Sequence, residues 1–453
     1  MRTLLSILFM ALLTACSDSA DVGDVKPSVD GVRHQLDFSV YMGRTATARS
    51  CVGPIDTERL KQPDCGFGVF AYMTGQTPYS DFRLQNAVSR RQPDFLNHEP
   101  IRWNDAQGEW QFADGTAVRS WPGDTLAKVS FFAYAPYMDD VVIASDRTDC
   151  FDPAVHHQLS PDMATQTDLL WGTDPYGDVK LVDGQRFAVN ADLTSTAHNG
   201  IVSIAFKHAL SKIGGPGPSA GSYDEDITTA AKGLMAVLDI DEGGPETGAT
   251  LQPYDGGPSV PHTPYNTKVT IHAVRMVSSN QPDAGVLNLA TGEWTHVAPV
   301  GHGLTRSQEI ALHEAVAEPD VHPGYSQQGF ESLPIGVTTV PKNVCTADVL
   351  PMLFIPGTCP VFDITVDYTV RTYDAQLTRH YSEVRQRMTR RLTITEPLEL
   401  NKQYNILMHI GLTSVKFTAT VEDWTPEGGS SGSDDVDIDD EEVEHVWLPT
   451  NVD

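Results

Sequence analysis

Residues 362–370 read FDITVDYTV, with apolar and polar side chains in unbroken alternation. A period of two sets Phe362, Ile364, Val366, Tyr368 and Val370 on one face and Asp363, Thr365, Asp367 and Thr369 on the other, the pattern of a strand with one buried face. The same alternation returns where Val415, Phe417, Ala419 and Val421 interleave with Lys416, Thr418 and Thr420. Further strands are predicted over residues 36–41, 67–72, 129–134, 201–206, 234–240, 269–277, 392–395 and 404–410, and no long segment carries a helical stripe. The 30 prolines and 36 glycines punctuate these runs as turns and loops. The chain is therefore predicted to be all-β. Its 453 residues exceed what one core serves, so antiparallel β-sandwiches are expected in preference to a single barrel. Residues 211–227 and 241–267 read as long surface loops, and a domain boundary is expected near residues 191–199.

A leader precedes the first strand. One charge at Arg2 is followed by an apolar run over residues 4–13, broken only by Ser6 and too short to span a bilayer. Leu13, Thr14, Ala15 and Cys16 close it in the way that ends with a lipid on cysteine. Residues 1–15 are thus expected to be a signal peptide, Cys16 the lipidation site and residues 16–33 an acidic tether that cannot bury itself. An ordinary secretory signal cleaved after Ala15 is the alternative. The formal net charge of −29 argues against binding nucleic acid or an anionic leaflet, which it would repel.

Five cysteines remain after Cys16, so at least one is unpaired. Cys51 with Cys65, and Cys345 with Cys359, are spaced to close local loops, each disulfide contributing about 3 kcal/mol in the chain-entropy model. Neither pair has the CxxC spacing of zinc or thioredoxin chemistry.

At the far end, residues 426–433 form a Gly/Ser spacer and residues 434–444 hold eight acids in eleven positions, which read as a self-repelling linker. Val443, Val446, Trp447 and Leu448 then make an apolar patch expected to dock on a surface. Asp435, Asp437 and Asp439 have EF-hand spacing, but Asp440 stands where that loop needs Gly and Val446 where it needs Glu. Catalytic motifs fail in the same way. Ser219 lies in a G-x-S-x-G match with no helix after it, His313-Glu314 lacks a second histidine, and His156-His157 has no nearby partner. No catalytic residue, metal or cofactor is expected. His208 reads as a hydrogen-bonded residue at a strand end, and Trp121, Trp171, Trp294 and Trp424 as core or loop anchors, although an exposed cluster of them would stack on sugar rings.

Six blocks in order carry a resemblance that spans most of the chain. They are the leader with Cys16, residues 67–72 (FGVFAY), Trp121-Pro122 followed by residues 129–136 (VSFFAYAP), residues 168–172 (DLLWG), residues 206–213 (FKHALSKI) and residues 404–424. Together they resemble the fimbrillin family, the subunits of the type V pili of Bacteroidetes. The resemblance implies two transthyretin-like antiparallel β-sandwich domains, placed at residues 34–195 and 196–425 with residues 426–453 as a tail. It also implies a surface-exposed lipoprotein of the outer membrane, part of a pilus, joined to other pilus subunits by β-strand addition. In that family an arginine-specific protease removes the first strand, and a neighbour's strand fills the groove.

On this chain the implied parts are Leu36, Phe38 and Val40 as the inward face of the exchanged strand and Arg44 and Arg49 as processing sites. Val443, Val446, Trp447 and Leu448 make the candidate donor, or else pair with their own C-terminal domain. A sandwich lacking one strand exposes apolar floor and unpaired backbone, a template for β-addition. The acidic linker and the cysteines depart from the family pattern, so a tip or accessory role stands beside a shaft role. A monomeric surface lipoprotein binding glycan or host protein is the alternative, and an envelope hydrolase the third.

Overall fold

The computed structural model describes residues 35–42, 54–86, 93–115, 119–139, 152–176, 180–182, 185–187, 189–215, 233–238, 250–251, 260–261, 267–296, 303–312, 336–337, 342–346, 348–373, 381–424 and 434–448. Cys16 and the tether, Arg44, Arg49, Cys51, Ser219 and His313 lie outside the described residues. Among the described residues no helix is long and apolar enough to cross a membrane.

The first body is one sheet of eight strands. Lys128–Ala135, Phe67–Gly75, Leu96–Asn104, Glu109–Phe112, the first strand Asp37–Tyr41, Ile201–His208 and Leu170–Thr173 neighbour one another in that order. Leu170–Thr173 then pairs with Lys128–Ala135, so the path of pairings closes, while Asn190–Leu193 takes the rest of that edge. The closure joins what the alternation pattern presents as two facing sheets. Inside lies a core that includes Phe38, Phe67, Val69, Ile101, Trp110, Phe131, Val202 and Ile204. Gly68 is required on this wall, because a Cβ there would stand 2.4 Å from the Tyr134 ring.

The second body has two sheets sharing one core. One orders Leu304–Ile310, Thr267–Gln281, Val361–Tyr373, the arginine strand Tyr381–Ile394 and the terminal strand Ile438–Leu448. The other contains Leu234–Leu238, Lys402–Ile410, Ser211–Ile213 and Met352–Phe354, with Val415–Asp423 and Asp434–Val436 added beyond Lys402–Ile410. Phe362, Ile364, Val366, Tyr368 and Val370 all point into the shared core, facing Ile406, Met408, Val415 and Phe417 of the opposite sheet. The two-residue period is thus met by a strand whose far side carries Asp363, Thr365, Asp367 and Thr369.

Three expectations are corrected. The strand Ile201–His208 pairs in parallel with the first strand, so it belongs to the first body; the domain drawn from residue 196 starts a strand too early, and the chain passes to the second body at Ala209 and Leu210. The acidic run is not a linker. Asp434–Val436 pairs with Val415–Asp423, and Ile438–Leu448 pairs with the arginine strand, whose charges offset the repulsion that a free tail would suffer. Cys345 and Cys359 are free thiols. Cys345 is buried in the second core at a bridge to Leu312, whereas Cys359 lies at the surface with its thiol on the Thr395 carbonyl, 3.5 Å away, and the strand Met352–Phe354 separates them. Cys65 is disulfide-bonded.

A third core welds the two bodies. Phe70, Phe132, Leu169 and Trp171 of the first pack with Leu287, Leu289, Leu353, Ile355 and Trp424 of the second. Ala154–Gln158 also pairs with Ala284–Asn288, which pairs with Trp294–His296. Gly292 has φ +76°, and a Cβ there would meet the Trp171 ring at 2.5 Å.

Candidate functional site

The residues singled out for strand exchange fall at two places in the fold, and the structure does not bring them together. The first strand is a five-residue segment between Ile201–His208 and Glu109–Phe112. Its pairing is uneven: five residues register in parallel against residues 201–205, but only Phe38 registers on the other side, against Trp110. Leu36 and Phe38 are buried and Val40 half-buried, so one face points inward as the alternation predicts. The Phe38 ring meets Phe67, Phe112 and Phe131 at centroid distances of 5.9, 5.7 and 6.4 Å, all edge to face. Burial of three such side chains contributes roughly 1.5–3 kcal/mol each, which the fold forfeits if this strand is removed.

The terminal strand lies at the edge of its sheet, with one side unpaired among the described residues. It runs antiparallel to the arginine strand from Ile394↔Ile438 to Arg385↔Leu448, and Val443 is bulged out of the register between Glu442 and Glu444. Val446 and Leu448 are half-buried, while Val443 is 47% and Trp447 57% exposed. None of its residues is fully buried. The attachment is polar instead. Arg390 pairs with Asp440, Arg391 with Glu441 at 3.4 Å, and the His445 ring Nε2 meets Gln386 Oε1 at 2.8 Å. Asp440 also accepts from the Phe417 amide at 3.0 Å. Just before the strand, the Asp437 carbonyl accepts from the Thr395 amide at 3.2 Å and from the Thr395 hydroxyl at 2.9 Å. The tail thus bridges both sheets of the second body at their edges.

The arginine strand works in both directions. Toward the terminal strand it offers Arg390 and Arg391, and toward Val361–Tyr373 it offers Arg385 and Arg387 to Asp367 at 3.0 and 3.1 Å, with Arg391 on Asp363 at 2.9 Å. Burial raises the Asp367 carboxyl, but hydrogen bonds from Arg385 and Arg387 outweigh it and hold it below the usual carboxylate range. These arginines were missed in the sequence. The signal that finds them is four arginines within residues 385–391, opposite in sign to the acidic run at residues 434–444.

Away from the two exchange strands, the histidine and the tryptophans singled out in the sequence serve the structure. The His208 ring Nδ1 meets Asp168 Oδ2 at 2.6 Å and the ring stacks on Trp424 with centroids 3.6 Å apart. The indole N–H of Trp121 donates to the Gly200 carbonyl, that of Trp171 to Leu289 and that of Trp294 to Ala209. These tryptophans anchor the fold rather than forming an exposed sugar platform.

The chain matches no family model. It is 24% identical over 243 residues to the fimbrium subunit Fim1C of Phocaeicola vulgatus. This chain is related to a fimbrium subunit. The match covers 53% of the chain and 57% of that relative, so it spans little more than half the relative's length. A fimbrial protein from Bacteroides vulgatus shares the fold, with a TM-score of 0.51 at 15% identity over 86% of this chain and 99% of that one. The resemblance read from the six blocks therefore meets an independent likeness in sequence and in architecture.

Proposed function

We propose that the chain is a structural or accessory subunit, tip or adhesin, of a type V pilus. It reaches the outer membrane as a lipoprotein on Cys16 and joins other subunits by strand exchange after cleavage at Arg44 or Arg49. The observation that carries this reading is the first strand, short and apolar on one face, with a full ladder on only one of its sides. Its loss leaves a lined groove between residues 201–205 and Trp110. The terminal strand is the donor in this reading, because charge rather than deep apolar burial holds it to its own sheet. A tip or adhesin position makes no demand for enzymatic chemistry, in keeping with a relative named as a fimbrium subunit.

The test uses purified precursor treated with an arginine-specific protease and run on non-boiled gels. High-mass ladders that need cleavage, and that are lost in Val446→Asp, support exchange. Cleaved protein that stays monomeric, or ladders that form equally without cleavage, overturn it.

A further inference from the structure

Arg306 is a buried cation without a counter-ion among the described residues. It sits on the strand Leu304–Ile310 with its side chain turned into the protein, and the residue is 1% exposed. Its Nη2 donates to the Leu353 carbonyl at 2.5 Å, its Nη1 to Gln166 Oε1 at 3.4 Å, and its guanidinium carbon lies 4.6 Å from the Phe354 ring centroid. Its Nε has no acceptor among the described residues. Directly across the ladder stands Ser278, in register with Arg306 and fully buried, and its hydroxyl likewise has no partner among them. Burial alone acts on the guanidinium, lowering its pKa to about 10.

An isolated charge in a low-dielectric interior is costly, and burying it with orphaned donors beside it compounds the cost. The carbonyl, amide and ring around Arg306 are neutral, so they orient the charge without cancelling it. We propose that the Arg306 Nε–H and the Ser278 hydroxyl hold one small monovalent anion of the halide class, chloride in ordinary solution. One negative charge balances one guanidinium. A divalent oxyanion would bring more acceptors than these two donors satisfy and a second charge with no cation to meet it. Gln166, on the segment just before Leu170–Thr173 of the first body, donates to the Pro351 carbonyl at 2.5 Å and accepts from the Leu353 amide at 3.2 Å, so the site lies where that segment meets the second body. The anion therefore stabilises the junction between the two bodies.

The test is thermal unfolding of the full chain in sodium chloride against sodium gluconate at matched ionic strength. A ligand bound only by the folded state raises the melting temperature with a saturable dependence on its concentration. Chloride and bromide are expected to do so, and Ser278→Ala to raise the half-saturating concentration at least tenfold while still folding. Bromide-soaked crystals of the unaltered protein should give an anomalous peak in contact with Arg306 Nε and Ser278 Oγ. Equal melting in the two salts, a halide response unchanged in Ser278→Ala, or a water in place of the bromide peak would overturn the proposal.

Discussion

Asp168 shows how one residue holds distant parts of the chain. Its Oδ2 accepts from the Ile55 amide at 3.1 Å and meets His208 Nδ1 at 2.6 Å, both buried. Asp168→Ala leaves a buried amide and a buried imidazole unpaired, so urea unfolding should show a loss of about 3 kcal/mol. His157 nearby carries a pH response. Burial pushes its pKa down to about 4, against the opposing pull of Asp168. Its unfolded form binds a proton near pH 6.5, so stability from this residue is complete above pH 6.5, declines as pH falls and is gone below about 4. The loss amounts to roughly 3 kcal/mol across that window. His157→Phe should flatten this part of the urea-derived stability profile; an unchanged slope would show that the histidine is already protonated in the fold. His208 is legible in the sequence as a strand end and the DLLWG run only as a block of the resemblance, but the meeting of Asp168 with His208 is not legible. That contact depends on register across a sheet, which local pattern leaves open.

Among the elements, the two candidate exchange strands differ in what holds them. The first strand is held by apolar burial: Phe38→Ala should cost about 3–5 kcal/mol in denaturant unfolding. The terminal strand is held by charge on a ladder. Arg390→Glu should remove amide exchange protection from residues 438–448 while leaving residues 361–373 protected, and adding Asp440→Lys should restore part of it. A partly buried ion pair of this kind contributes about 1.5–3 kcal/mol. Unaltered protection in Arg390→Glu would mean that backbone pairing alone suffices. The inward face of residues 362–370 and of the first strand is legible because apolar alternation is a local signal. Of the terminal strand only the apolar end is legible, since Val443, Val446, Trp447 and Leu448 read as a donor or as pairing with their own domain; its acidic part is not, because Arg390 and Asp440 are 50 positions apart and eight acids read alone signify repulsion. Of the arginine strand only the end is legible, as the strand predicted over residues 392–395; Gln386 and Met388 are buried too, but the arginines beside them mask the stripe.

For the whole molecule, the third core makes the two bodies one cooperative unit. Unfolding followed by Trp fluorescence and by far-UV circular dichroism should give coincident transitions; two separated transitions would mean the bodies fold independently. The all-β class is legible in the sequence, whereas the closure of the first sheet and the parallel pairing of Asp37–Tyr41 with Ile201–His208 are long-range and leave no local mark. In the proposed assembly a neighbour's strand takes over the ladder that the first strand makes with Ile201–His208. Its replacement in assembled material is the point on which the functional proposal turns. The direct measurement is the N-terminal sequence of the subunit taken from filaments on cells. A start immediately after Arg44 or Arg49, with residues 36–41 gone, is the expected result. Filament subunits that retain residues 36–41 would contradict it.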